Sequence, residues 1–305
     1  MHFYTAFGLN IESDLPLKPL RGINSAESVD VSIRLGNVDK AGLTAPDNIK
    51  PFCQQAKNQH WFFVPDIAYF YITNGDSVVV DPIEGSDPQS VKLYILGTCM
   101  GIIFHQRDLL VIHGNAVRFG DKAVVFSGNS GNGKSTLAAA FHQKGYDILA
   151  DDLAVIDKNG LCYPSYPQLK LWQDTAKKLN IDTKDLKRIR LQVNKYALPL
   201  TKGFYDKPLP VAGLYVLHNH NKDEFIFESI EGVEKLKPLR GQTYRIKQVE
   251  GLGLKSQHFQ ACIKLANNIK VTRITRPNKG FRLEELLASI EGDVNENIVV
   301  AANDE

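Results

Sequence analysis

The stretch "FSGNSGNGKSTLAAAF", residues 126–141, decides the reading of this chain. Gly128-Asn129-Ser130-Gly131-Asn132-Gly133-Lys134-Ser135 fits the phosphate-loop pattern G-x-x-x-x-G-K-[ST]. Glycines at these positions permit positive φ and close backbone approach, so successive N–H groups can turn toward phosphate oxygens. The helix that follows presents its positive N-terminal end to the same oxygens. Lys134 can reach the β- and γ-phosphates, and the Ser135 hydroxyl can ligate Mg²⁺. Chance enrichment in Gly, Ser and Asn is the alternative. The context argues against it, because an apolar strand pattern precedes the loop and the helix-forming run "TLAAAF" follows.

Working outward, "YDILADDLAVID" (146–157) reads as the next strand and carries Asp151 and Asp152 a short distance after Lys134. One short helix and a returning strand fill that gap, which brings the pair beside the loop. One carboxylate suits a Mg²⁺ bridging the phosphates; the other can accept the proton of an attacking hydroxyl. Adjacent carboxylates repel, so one needs a cation or a raised pKa. These residues alone do not rank Asp151 over Asp152 as the base. Upstream, His113 ends the strand "LLVIHG" just before the strand pair that enters the loop. A lone histidine is ordinarily structural, and His105, His142, His218, His220 and His258 are read that way. "HNHN" (218–221) has a metal-like composition but is expected at a hairpin tip.

The bulk numbers set limits. At 305 residues the chain has room for one large or two modest domains. A net charge of +2 without a basic block interleaved with aromatics leaves no expectation of a nucleic-acid partner. Cys53, Cys99, Cys162 and Cys262 show no CxxC spacing, which fits a reducing, cytoplasmic setting better than zinc or a disulfide framework. No signal peptide is visible at the N-terminus. The most apolar run, 91–104, is too short to span a bilayer and reads as a buried helix over 91–106, so no membrane partner is expected.

Residues 1–85 read as a β-rich region. "VDVSIRLG" alternates with period two, and "IAYFYITNGDSVVVD" reads as a hairpin turning at Asn74-Gly75. Residues 86–292 read as the phosphate-loop domain and 293–305 as a polar tail. Within the domain, "VAGLYVLHNHNKDEFIFESI" reads as a hairpin, 232–268 as helices, "KVTRITR" as a strand and 281–290 as a last helix. The basic run "KDLKRIR" (184–190) reads as a solvated helix face, or more sharply as a docking surface for an anion or acidic peptide.

The run "VIHGNAVRFGDKAVVFSGNSGNGKSTLAAAFHQKGYDILADDLAVI" resembles the catalytic domain of HPr kinase/phosphorylase: His-Gly, a strand pair, the phosphate loop, a helix, Gly145, a strand and Asp-Asp, in the same order and spacing. The resemblance implies an α/β, mixed-sheet, PEP-carboxykinase-like P-loop core. It implies that Ser130, Gly131, Gly133, Lys134, Ser135 and Thr136 hold ATP and Mg²⁺, that Asp151 is the base toward a substrate serine, that Asp152 is a metal ligand, and that His113 sits beside metal and phosphates. "YPSYPQLKLW", "NKYALPL" and the opening "YTAFGLNIESDLPL" look like a branch that includes kinases of lasso-peptide precursors. On that likeness Tyr166, Lys170 and Lys195 form the substrate side. The alternatives are a proline-shaped turn packed under aromatics for the first two and an exposed helix-end lysine for Lys195.

Two departures stand out. Thr136 replaces the usual Glu after the motif serine, and "KVTRITRPNKGFRLEELLASI" lacks the Gly/Asn signature tied to HPr contact and phosphorolysis. They set HPr and phosphorolysis aside, and the expectation is a kinase acting on a hydroxyl, first of all a serine of a peptide or small protein, with a small hydroxyl metabolite as the variant; self-association is what the resemblance to the oligomeric HPr kinases implies. A non-catalytic ATP sensor is the alternative. A motor-type ATPase lacks its distant metal Asp and an evident arginine finger, for which Arg240 or Arg245 would have to serve in trans.

Overall fold

The computed structural model describes residues 1–190, 193–278, 280 and 282–296. Its N-terminal part is a nine-stranded sheet that runs from the edge strand Arg21–Ile23 through His2–Ala6, Leu9–Ser13, Val31–Leu35, Ser77–Pro82 and Ala68–Thr73 to Asn48–Lys50 at the far edge. Alternation builds it. Ala68, Phe70 and Ile72 are fully buried, while Tyr69, Tyr71 and Thr73 lie on the partly exposed face. Asn74 and Gly75 take φ of 56° and 70°, the left-handed pair that a tight hairpin needs.

The helix expected over 91–106 starts at Pro88, capped by the Asp87 carboxylate, and runs through a π-helical turn at Ile95–Cys99 to Gln106. From Ile95 to His105 it is buried nearly all round because it is covered on both sides, while Gln89 and Lys92 in its first turns reach solvent. Ile95, Met100, Ile102 and Phe104 share one core with the nine-stranded sheet and with Val111, Leu153, Val155 and Tyr166 of the second half. The N-terminal sheet and the phosphate-loop half are thus joined by packing.

In that half the long strand Leu110–Phe119 serves several partners. Its first part pairs with Leu153–Ile156; its second part pairs with Lys122–Gly128 and Ile148–Ala150. Lys122–Gly128 pairs in parallel with Leu209–His220, which returns through Leu161–Tyr163 to Leu153–Ile156 and closes the circuit. The chain therefore forms the mixed α/β architecture with a β-rich N-terminal region. A separate three-stranded sheet holds Gln168–Trp172, Lys195–Pro199 and Lys187–Arg188. There Leu169 and Leu171 pack under the helix Lys134–Gln143, so Lys170, between them, faces the other way.

Four expectations need correction. The strand over 146–157 is broken at Asp151-Asp152. The hairpin over 211–230 does not form: Lys270–Pro277 inserts between Leu209–His220 and Ile226–Ile230. The inserted strand buries Val271 and Ile274 completely, whereas Ile226–Ile230 is mostly exposed and suits an edge. The basic run 184–190 is not helical; it forms turns and the short strand Lys187–Arg188, because the preceding helix ends at Lys178 and Asn180 turns left-handed with φ 54°. The last helix runs on to Val294, whose side chain is buried, so the polar tail does not begin at 293; residues 297–305 lie outside the described residues.

Candidate functional site

The strand Lys122–Gly128 is buried along Ala123–Gly128 and delivers the chain into the loop. Gly128 has φ 142°, and a Cβ there would sit 2.6 Å from Leu217 O, so only glycine lets the loop leave the strand beside Leu209–His220. Gly131 and Gly133 have φ of 88° and 96°, and the helix Lys134–Gln143 begins directly after them. Asn129, Ser130 and Gly131 form the exposed face of the loop, and Ser135 lies half-buried in the first helical turn.

The loop is braced from behind. Asn132 Nδ2 donates to Leu217 O at 2.6 Å, and Asn132 O accepts from Arg276 Nε and Nη2, each at 3.3 Å. Lys134 Nζ donates to Gly128 O at 2.7 Å and Asn129 O at 3.3 Å. Burial lowers the Lys134 pKa, with Asp152 pulling the other way. Thr136 Oγ1 lies 3.1 Å from Thr175 Oγ1.

The two aspartates occupy a break in the strand. Asp152 takes φ 67°, and Leu153 N donates to Asp151 O at 2.9 Å, which makes a γ-turn centred on Asp152. Such a turn is strained for a non-glycine residue. It sends the two side chains into different surroundings. Asp151 is only 2% exposed. Its Oδ1 accepts from Asn115 Nδ2 at 2.5 Å and its Oδ2 from Lys170 N at 2.9 Å. Burial, reinforced by the neighbouring Asp152 charge, pushes its pKa up to about 7. Asp152 lies nearer solvent, with Lys170 Nζ at 2.6 Å from Oδ2 and Lys195 Nζ at 3.9 Å from Oδ1. Burial would raise its pKa, but those two ammonium groups outweigh it and hold Asp152 well below the usual carboxylate range. Lys170 shows the mirror effect: burial opposes its charge, and Asp152 and Tyr166 hold its pKa well above the ordinary value.

His113 stacks on Tyr244, ring centroids 5.8 Å apart. Burial, then Lys134, lowers its pKa to about 4, so it is neutral at pH 7. Gly114 follows it because a Cβ there would lie 2.5 Å from Phe126 O. His113, Lys134, Asp151, Asp152, Lys170 and Lys195 thus form one electrostatic cluster. Lys195 opens a strand and is not at a helix end. Tyr166 is buried edge-on against Phe7, with centroids 5.9 Å apart, and Lys170 Nζ lies 5.9 Å from its ring centre. His218 and His220 close a strand beside Lys270–Pro277, and among the described residues no group of three His, Cys, Asp or Glu could hold a metal.

Sequence reasoning missed Asn115, Arg276 and Thr175. Asn115 was the accessible one: it adjoins His113-Gly114 inside the motif-bearing run.

No protein-family model matches the chain, and no curated protein matches it. Among solved structures, the Hpr(Ser) kinase/phosphatase from Coxiella burnetii is similar over 61% of this chain and 88% of its own, at 13% identity and a TM-score of 0.31. A likeness that loose carries no argument about this chain.

The donor set fits a nucleotide-borne Mg²⁺ better than a protein cage. An ionised Asp152 and the Ser135 hydroxyl are hard oxygen ligands, and Mg²⁺ commonly takes one or two of these with phosphate oxygens and water completing its shell.

Proposed function

We propose that the chain is an ATP- and Mg²⁺-dependent phosphotransferase that moves the γ-phosphoryl group to a hydroxyl, a serine of a peptide or small protein. The observation that carries this reading is the strained Asp151-Asp152 turn, with carboxylates of opposite pKa character facing three lysines beside the phosphate loop. Two titratable groups pushed apart in this way suit acid–base chemistry near neutral pH.

Loop N–H groups, Lys134 and the helix N-terminus hold the phosphates. A cavity of about 230 Å³ beside Gly131 and Thr136, walled by Phe225, Arg276 and Leu283, takes the base and ribose. Ser135 and Asp152 hold Mg²⁺, which when bound neutralises phosphate charge. In the transfer, the acceptor oxygen bonds to the γ-phosphorus as the bond to the β,γ-bridging oxygen breaks, and ADP leaves. Asp151, whose pKa is raised by burial and by the neighbouring Asp152 charge, takes the hydroxyl proton. Lys170 and Lys195 offset charge that spreads over the transferring group. Neutral His113 stands ready as a hydrogen-bonding neighbour rather than a cation. The same proposal groups the chain with HPr-kinase-like proteins of PEP-carboxykinase-like fold, acting in the cytosol.

One observation favours an ATP sensor instead: both Asp151 oxygens are engaged and the residue is buried. Incubation with γ-labelled ATP, Mg²⁺ and a pooled serine-peptide library separates the two. The transfer reading expects acid-stable phosphoserine in amounts equal to the ADP formed. Tight ATP binding without label on any acceptor would favour the sensor.

A further inference from the structure

A groove of about 350 Å³ lies between the N-terminal sheet's Lys18-Pro19 segment, the helix beginning at Pro88 and the sheet that carries Lys170. Its floor is apolar, made by Leu93, Leu96, Tyr166 and Pro199. Lys170 lines the groove while its Nζ reaches Asp152, so this one side chain links the groove to the aspartate pair. Its volume suits a few side chains of an extended segment.

The rim is basic. Lys18, Lys92 and Lys187 converge there, and none makes an ion pair among the described residues. Their proximity is registered on Lys92, whose pKa is lowered by burial and then by Lys187 and Lys18. The acids nearby balance them only in part. Asp87, which caps the helix through Gln89 N, Ser90 N and Ser90 Oγ, offsets some of the charge on Lys92, and Asp185 is the single carboxylate on the lining. Crowded cations over an apolar floor are stabilised by a ligand that brings negative charge and an apolar side chain together.

We infer that this groove docks the phosphoryl acceptor as an acidic peptide segment, with an apolar side chain on the Leu93–Leu96–Tyr166 floor, carboxylates among Lys18, Lys92 and Lys187, and the serine hydroxyl at the Lys170 end. This rests on the proposed transfer activity for the hydroxyl's role, but docking is measured without it.

The test uses fluorescein-labelled peptides containing one serine, one leucine and two glutamates placed either before or after the serine, and twins with lysine replacing glutamate. Binding to the full chain is read by anisotropy, and label transfer from γ-labelled ATP is read separately. The expected result is that one acidic peptide binds and its lysine twin does not. The double variant Lys92→Glu/Lys187→Glu should weaken the acidic peptide by roughly tenfold or more and favour the lysine twin. Single Lys18→Gln and Lys92→Gln variants, conservative at exposed or half-exposed positions, should each weaken binding by a smaller factor. ATP binding measured in parallel reports that each variant is folded. Equal binding of acidic and lysine peptides, or a preference that survives charge reversal, overturns the inference. Acidic-peptide binding that depends on the lysines but gives no label transfer upholds the docking and overturns the transferase reading.

Discussion

The Lys170–Asp152 pair is the contact on which the site's electrostatics turn, and its removal has a calculable effect. Lys170→Met keeps the length and apolar stem of the side chain but deletes the ammonium 2.6 Å from Asp152 Oδ2. Removing one partner of a fully buried pair costs about 3–5 kcal/mol, whereas exposed pairs contribute about 0.2–1 kcal/mol. Here the Lys170 side chain is 8% exposed and that of Asp152 25%, and Lys195 at 3.9 Å takes up part of the orphaned charge. The expected loss falls between those limits, about 2 kcal/mol. At about 2 °C per kcal/mol for a chain of this size, Tm falls by roughly 4 °C. Asp152→Asn should cost a similar amount by leaving Lys170 buried without its counter-charge. The double variant should lose clearly less than the sum, because neither charge is then stranded. Thermal melts of the four proteins in one buffer give the coupling. Additive losses, with coupling under about 0.5 kcal/mol, would refute the view that the two groups act as one buried pair.

Three further outcomes follow from the same structure. Gly114→Ala should lower Tm by more than about 5 °C or prevent soluble expression, since its Cβ meets Phe126 O at 2.5 Å; a melt within about 1 °C of wild type would contradict the close approach. Lys134→Met should weaken ATP by roughly 10- to 150-fold in calorimetry, the range for losing a hydrogen bond to a charged group, and an unchanged affinity would remove Lys134 from the phosphate site. Burial lowers the His60 pKa to about 3, below an ordinary value of about 6.5. The stability this depression contributes is therefore present above pH 6.5 and lost as pH falls through about 3. The Tm difference between wild type and His60→Gln should shrink steadily from pH 7 to pH 4, although Asp151, with its raised pKa, changes stability in the opposite sense in both proteins; a constant difference would show that His60 is not held neutral.

What the sequence displayed was local chemistry. The conformation of the glycine loop at 128–133 was legible because its glycines answer a backbone requirement that few other residues meet, and Gly128, Gly131 and Gly133 all take positive φ. The Asn74-Gly75 turn was legible for the same reason. Long-range pairing was not. "LYVLHNHNKDEFIF" has every mark of a hairpin, yet Lys270–Pro277 enters between its arms from a distant part of the chain. The γ-turn at Asp152 was equally hidden, because it arises where Leu110–Phe119 pairs with two separate short strands, and nothing in "LADDLAV" distinguishes a broken strand from a continuous one. Lys170 and Lys195 were visible as cations of interest, but not as joint partners of Asp152, since that depends on a three-stranded sheet whose period-two pattern points Lys170 away from the buried Leu169 and Leu171. The groove joining Lys170 to Lys18 and Lys92 spans both halves of the chain, and no local pattern announces it.

The central claim is that the loop and the aspartate pair together transfer a phosphoryl group to a hydroxyl. The most direct measurement is label transfer from γ-labelled ATP with Mg²⁺ to the best peptide acceptor, for wild type, Asp151→Asn and Asp152→Asn, each at saturating ATP with nucleotide affinity measured alongside. The account predicts transfer by wild type, its loss in Asp151→Asn with ATP still bound, and its loss in Asp152→Asn together with weakened Mg²⁺ dependence of ATP binding. Transfer by Asp151→Asn at the wild-type rate would contradict it.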